Sequence, residues 1–273
     1  MIIINGNSMK TVLKSIIPLL YLVFLLLNSC SDTTTSAPDT TKTGTVTVEF
    51  DNVAGDVDLS LGKEYTLPTG EKITPDLLQY YISNIRLKKA DGTEFIVNPD
   101  SSYFLIKESV PSTQKVQLRG VPEGDYTAIT FTIGVDSARC MSPLSKRTGA
   151  LDPAEGMYWT WNQGYIFIKC EGSSPASSEP DNRFRIHAGG FGSSATPQIN
   201  AIRTTTLSFG DKKAMVRAAI KPEIHLIADI YKLFKSAHTI SLISTPSVMF
   251  SPVANQVADN YQAMFAFDHV HND

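Results

Sequence analysis

The chain is 273 residues long, enough for one large domain with a real core, and its 42% apolar and 19% charged residues exclude a mainly disordered protein. Lys and Arg number 24 against 27 Asp and Glu, a formal net charge of −3 without the basic excess of a generic nucleic-acid binder. The 15 prolines and 17 glycines imply many turns.

Residues 1–29 differ from everything after them. Lys10 and Lys14 precede an apolar run from Ile16 to Leu27, which stops at Asn28-Ser29-Cys30. A basic n-region and a short h-region read as a secretory signal, too short for a stable span, with translation starting at Met1 or Met9. Leu27-Asn28-Ser29-Cys30 resembles a bacterial lipobox, which implies lipidation at Cys30 and a cell-envelope address in the periplasm or at the outer membrane. Residues 30–44, rich in Ser and Thr, read as a flexible tether. Only Cys140 and Cys170 then remain. In an oxidising compartment they suggest one disulfide, with a thiolate metal pair as the alternative.

From Thr45 the pattern has period two. Val46, Val48 and Phe50 alternate with polar residues, and Leu78–Leu87 turns at Asp91-Gly92 into Phe95–Val97. Strands follow at Tyr103–Ile106, Val116–Leu118, Tyr126–Val135, Tyr165–Cys170 and Phe184–His187, then at Ala214–Ile220 and Ile224–Ala228. Short helices are expected near Tyr231–Phe234 and across Ala254–Phe265. This spacing predicts one all-β domain over 45–273, an antiparallel β-sandwich with one or two short helices.

Both tryptophans, Trp159 and Trp161, lie in Gly156-Met157-Tyr158-Trp159-Thr160-Trp161-Asn162-Gln163-Gly164-Tyr165. On a strand they share a face, as core packing or as an aromatic binding or redox element. His225 and His238 sit singly in apolar runs and read as structural. His187 ends a strand before Ala188-Gly189-Gly190, where glycines admit a close neighbour. His269 and His271, two apart in an extended segment, face the same way and could grip one copper, zinc or nickel ion. Asp136 and Asp152 read as turn-fixing carboxylates, with a structural Ca²⁺ as the alternative. Gly-x-Ser-x-Gly, His-Glu-x-x-His and Cys-x-x-Cys are absent, so enzyme signatures are thin.

In sequence order, Leu78–Ile85, Gly134–Ser137, Gly156–Tyr165, Phe184–His187 and Met264–His271 resemble the MbnP-like family of periplasmic or surface-anchored copper-binding proteins. The resemblance implies a β-rich fold, a mononuclear copper site, and a tryptophan oxidised to kynurenine by a di-haem peroxidase partner. Carried over, it makes Trp159 or Trp161 the modified residue and places His187, His269 and His271 with it at the metal. Ala188-Gly189-Gly190 departs from the family pattern at that point. These groups are therefore expected to converge. A different class of function, surface glycan binding, would instead expose Trp159, Trp161 and Tyr165 as a flat platform.

Overall fold

The computed structural model describes residues 38–161, 164–192 and 199–273. The expected signal peptide, Cys30, most of the tether and the Asn162-Gln163 turn lie outside the described residues. Among the described residues, no helix is long and apolar enough to cross a membrane.

Two sheets make a sandwich. The smaller contains β1 (Thr43–Ala54), β2 (Val57–Asp58), β7 (Lys115–Pro122), β14 (Glu223–Asp229) and β16 (Phe265–His271). Its main path runs β16-β14-β1-β2, with β7 also on β1. The larger is built on β4 (Lys72–Lys89), β8 (Gly124–Ile133), β10 (Gly164–Ser173), β11 (Arg183–Gly189), β12 (Arg203–Ser208) and β15 (Ser247–Val248), in the order β12-β8-β4-β10-β11-β15. Short strands β3 (Tyr65–Thr66), β5 (Glu94–Ile96), β6 (Tyr103–Lys107), β9 (Tyr158–Trp159) and β13 (Ala214–Val216) pair at its margins. Most pairings are antiparallel, as expected. β1 with β14 and β11 with β15 run parallel, so the sandwich is mixed. A parallel pair needs a long crossover between its strands, and no local sequence pattern marks it.

Alternation builds the core. Val46, Val48 and Phe50 of β1, and Ile224, Leu226 and Ala228 of β14, are fully buried, which turns Glu49, Asp51, Glu223 and His225 outward. Phe50 reaches the other sheet through edge-on contacts with Tyr80 and Phe131, at 6.4 and 5.7 Å between ring centroids. A register shift in β4 falls at Asn84, whose φ of 52° is a conformation asparagine tolerates. The chain leaves β8 at Gly134 with φ 111°, and any Cβ there would lie 2.6 Å from the Phe167 ring. Among the described residues there are three α-helices, α1 (Ser137–Cys140), α2 (Tyr231–Phe234) and α3 (Val253–Gln262). α3 ends before Phe265, which opens β16 instead of closing the helix as expected. Asn260 fastens α3 by donating from Nδ2 to the carbonyls of Leu233 and His238, both at 2.9 Å.

Cys140 and Cys170 correct the expected disulfide. Both are buried free thiols. Cys140 donates to the Val135 carbonyl at 3.3 Å at the end of α1, whereas Cys170 lies within β10 between β4 and β11. Burial pushes each thiol up to about 12, which disfavours the reactive thiolate.

Candidate metal centre

The outward face of the smaller sheet gathers three histidines. His225 lies in β14, opposite Glu49 of β1 on one side and His269 of β16 on the other. The β14–β16 register then shifts: His225 pairs with His269 but Leu226 pairs with Phe267, leaving Asp268 as the extra residue of a bulge. His271, two residues beyond His269, pairs with Glu223. The result is a compact set of rings. His225 stacks on His269 at 4.2 Å and 14°, and His271 stands edge-on to both at 5.2 and 4.7 Å.

One nitrogen from each of His225, His269 and His271 lies within 4.8 Å of the others. The Nε2 atoms of His269 and His271 are 3.0 Å apart. Imidazole nitrogens bind a first-row ion such as zinc at about 2.0–2.1 Å, so two donors at this spacing can share one ion. His225 Nε2 is buried with no hydrogen-bond partner. A buried polar atom left this way is costly unless something outside the protein satisfies it. This orphaned nitrogen beside two other imidazoles fits a bound metal.

Two of the three rings, His269 and His225, also carry the carboxylate partners usual for metal-ligating imidazoles. Asp268 Oδ2 lies 2.7 Å from His269 Nδ1, while Glu49 Oε2 and Asp51 Oδ2 lie 3.3 and 3.5 Å from His225 Nδ1. A carboxylate on one ring nitrogen fixes the tautomer, leaves the lone pair on the other and raises its basicity. Glu49, Asp51 and His225 themselves form a second group with metal-ligand spacing. Lys115 of β7 spans the carboxylates, 2.9 Å from Glu49 and 2.7 Å from Glu223. Its bonds to Glu223 and Glu49 hold the ammonium above its usual range, and its bond to Glu223 lowers that carboxyl. Burial raises Glu49, with Lys115 opposing and Glu223 adding to the rise.

The expected convergence of the tryptophans, His187 and the His-x-His segment is not found. His187 belongs to β11 in the larger sheet, where Ile186 and Ala188 turn inward and His187 meets Glu171 at 2.8 Å. Burial lowers its basicity, partly offset by that carboxylate. Trp159 pairs through β9 with Gly164 of β10 and packs beside Gly189. It is 6% exposed, while Trp161 in the following turn is 64% exposed. The two indoles touch at 5.6 Å, and Phe250 meets both edge-on. Among the described residues, neither indole contacts His269 or His271.

Nor do the aromatics make a platform. Tyr165 is 1% exposed and its hydroxyl donates to the Leu151 carbonyl at 2.7 Å, so only Trp161 is open to a sugar ring. Asp136 caps α1 by accepting from Arg139 N at 3.0 Å and also holds Asn84 and Tyr103. Asp152 accepts from Ala154 N at 2.9 Å. The two fix separate turns, and neither belongs to a metal-spaced group among the described residues, which leaves calcium without support. His238 meets Asp259 with Nε2 3.0 Å from Oδ2, and belongs to no metal-spaced group among the described residues. Reading His225 as a structural histidine left out a residue whose ring nitrogen lies within ligand spacing of His269 and His271.

The fold and face define a β-sandwich carrying a surface three-histidine cluster. A family model described as MbnP matches residues 43–250, and the chain belongs to the MbnP family. The matched stretch includes His225, His187 and both tryptophans, whereas His269 and His271 lie beyond it. Among solved structures, MbnP from Methylosinus trichosporium is similar in fold, with a TM-score of 0.52 at 16% identity, covering 85% of this chain and 99% of that one. No curated protein matches the chain.

Proposed function

We propose that this is a copper-binding protein of the cell envelope, lipid-anchored through Cys30, which sequesters or hands on copper and is not itself an enzyme. The observation that carries the copper reading is the buried, unpartnered Nε2 of His225 beside His269 and His271. Membership of a family associated with copper supports the choice of metal, as does the preference of neutral imidazoles for copper over hard cations. His225, His269 and His271 would hold the ion, and Asp268, Asp51 and Glu49 would orient them. The bound copper is the protein's cargo. His187 takes no part in this set.

The reading also includes oxidation of one tryptophan to kynurenine by a di-haem peroxidase partner. Trp161 is the better candidate because it is exposed and in ring contact with Trp159. Native mass spectrometry of protein from its own host, followed by peptide mapping, tests both parts. The expected result is one copper per chain, a lipidated N-terminal Cys30 and a modified Trp161. Absence of copper after Cu(I) addition would overturn the copper reading; two unmodified tryptophans would overturn the kynurenine part alone.

A further inference from the structure

The carboxylate oxygen that faces the Nε2 of His225 is already engaged. Glu223 Oε1 lies 3.7 Å from the Nε2 of His225, which has no hydrogen-bond partner. The same oxygen is 2.7 Å from Lys115 Nζ, and that ammonium also binds Glu49 at 2.9 Å. Strand register produces this arrangement. Lys115 pairs with Glu49 across β7 and β1, and Glu49 pairs with His225 across β1 and β14.

Resting on the reading that these histidines bind copper, we propose that Lys115 determines the metal specificity of the site. By tying Glu223 and Glu49, it withholds the carboxylate that would convert a three-imidazole set into a His₃-carboxylate set. Neutral imidazoles suffice for Cu(I). A carboxylate donor instead favours harder, more highly coordinated divalent ions, and zinc is typically bound by four ligands. The ammonium adds a second bias, since its repulsion scales with ionic charge and costs a divalent ion twice what it costs Cu(I). Lys115 is half-exposed and salt screens it, so its role is to tune the preference and not to block the site. It acts through Glu223 and is a positioning residue, not a ligand.

The test is competition titration of the full-length apoprotein with Zn²⁺ and with Cu(I) against chromophoric chelators. The variants are Lys115→Met, Lys115→Arg, Glu223→Gln and the Lys115→Met/Glu223→Gln pair, with thermal unfolding to confirm folding. Lys115→Met should bind Zn²⁺ roughly tenfold more tightly, a change of the size seen for groups that support a metal's ligands, with a smaller gain for Cu(I). Lys115→Arg should keep the wild-type preference, and the double variant should lose the gain because it lacks the freed carboxylate. An unchanged Zn²⁺-to-Cu(I) ratio in Lys115→Met overturns the assignment, as does a gain that persists without Glu223. A wild type that takes up no Cu(I), with the Zn²⁺ gain intact, instead breaks the copper reading and retains Lys115 as the clamp on Glu223.

Discussion

The outward face of the smaller sheet and the tryptophan corner of the larger one are opposites in chemistry. The first collects three imidazoles, an orphaned nitrogen and a ring of carboxylates from strands distant in sequence. The second packs Trp159, Trp161 and Phe250 edge against ring, with Gly189 leaving room for the buried indole. Tryptophan is rare in this chain, and two in one short segment attract attention. The donors suited to metal, however, are assembled elsewhere by strand pairing. Residues conspicuous in the sequence and residues with unsatisfied chemistry are different sets here.

The sharpest way to break this contrast is to remove the imidazoles. His269→Ala/His271→Ala should abolish stoichiometric copper uptake in native mass spectrometry, while the melting temperature stays close to wild type because both side chains lie at the surface. Trp159→Ala should do the reverse. It empties a nearly filled site and should lower stability by about 3–5 kcal/mol in denaturant unfolding, with copper binding retained by the folded fraction. Trp161→Ala, at an exposed position, should stay within about 0.5 kcal/mol of wild type. Equal losses for the two tryptophans would mean that Trp161 is also packed.

Smaller effects sharpen the picture. Asp268→Asn and Asp51→Asn should weaken copper roughly 10- to 100-fold, the range for carboxylates that orient metal-bound imidazoles. A titration against a Cu(I) chelator checks this. His187, in the larger sheet, should affect stability instead. Burial lowers its folded-state pKa below the ordinary 6.5, so the unfolded chain takes up the proton first. Its contribution is fully present above pH 6.5 and is lost as the pH falls toward the folded value. His187→Gln should flatten that part of the stability–pH curve without changing copper affinity. Alkylation provides a separate check on the cysteines: Cys140 and Cys170 should resist reagent in the native protein and both react after unfolding without reductant.

Much of the fold is legible because alternation is a local signal. Val46, Val48 and Phe50 announce β1, and Ile224, Leu226 and Ala228 announce β14, before any partner is known. That His269 and His271 share a face also follows from a period of two. The role of His225 does not, because it depends on β16 pairing beside β14 and on a bulge at Asp268. One clue was available: flanked by inward Ile224 and Leu226, His225 must point out of the core, where a merely structural histidine is less expected. The misplaced end of α3 has a similar cause. Phe265 fits an apolar helical face equally well, and its pairing with Ala228 and ring contacts with Phe50, Tyr80 and Phe131 place it in β16. The pairing of Cys140 with Cys170 rested on their number and compartment, which say nothing about distance.

The most direct test is a copper-edge anomalous map from crystals of the Cu(I)-loaded protein. One peak within bonding distance of Nε2 of His225, His269 and His271, with none at the tryptophans, is the expected result. A peak beside Trp159, Trp161 or His187, with the three-histidine face empty, would contradict the assignment of the metal to the smaller sheet.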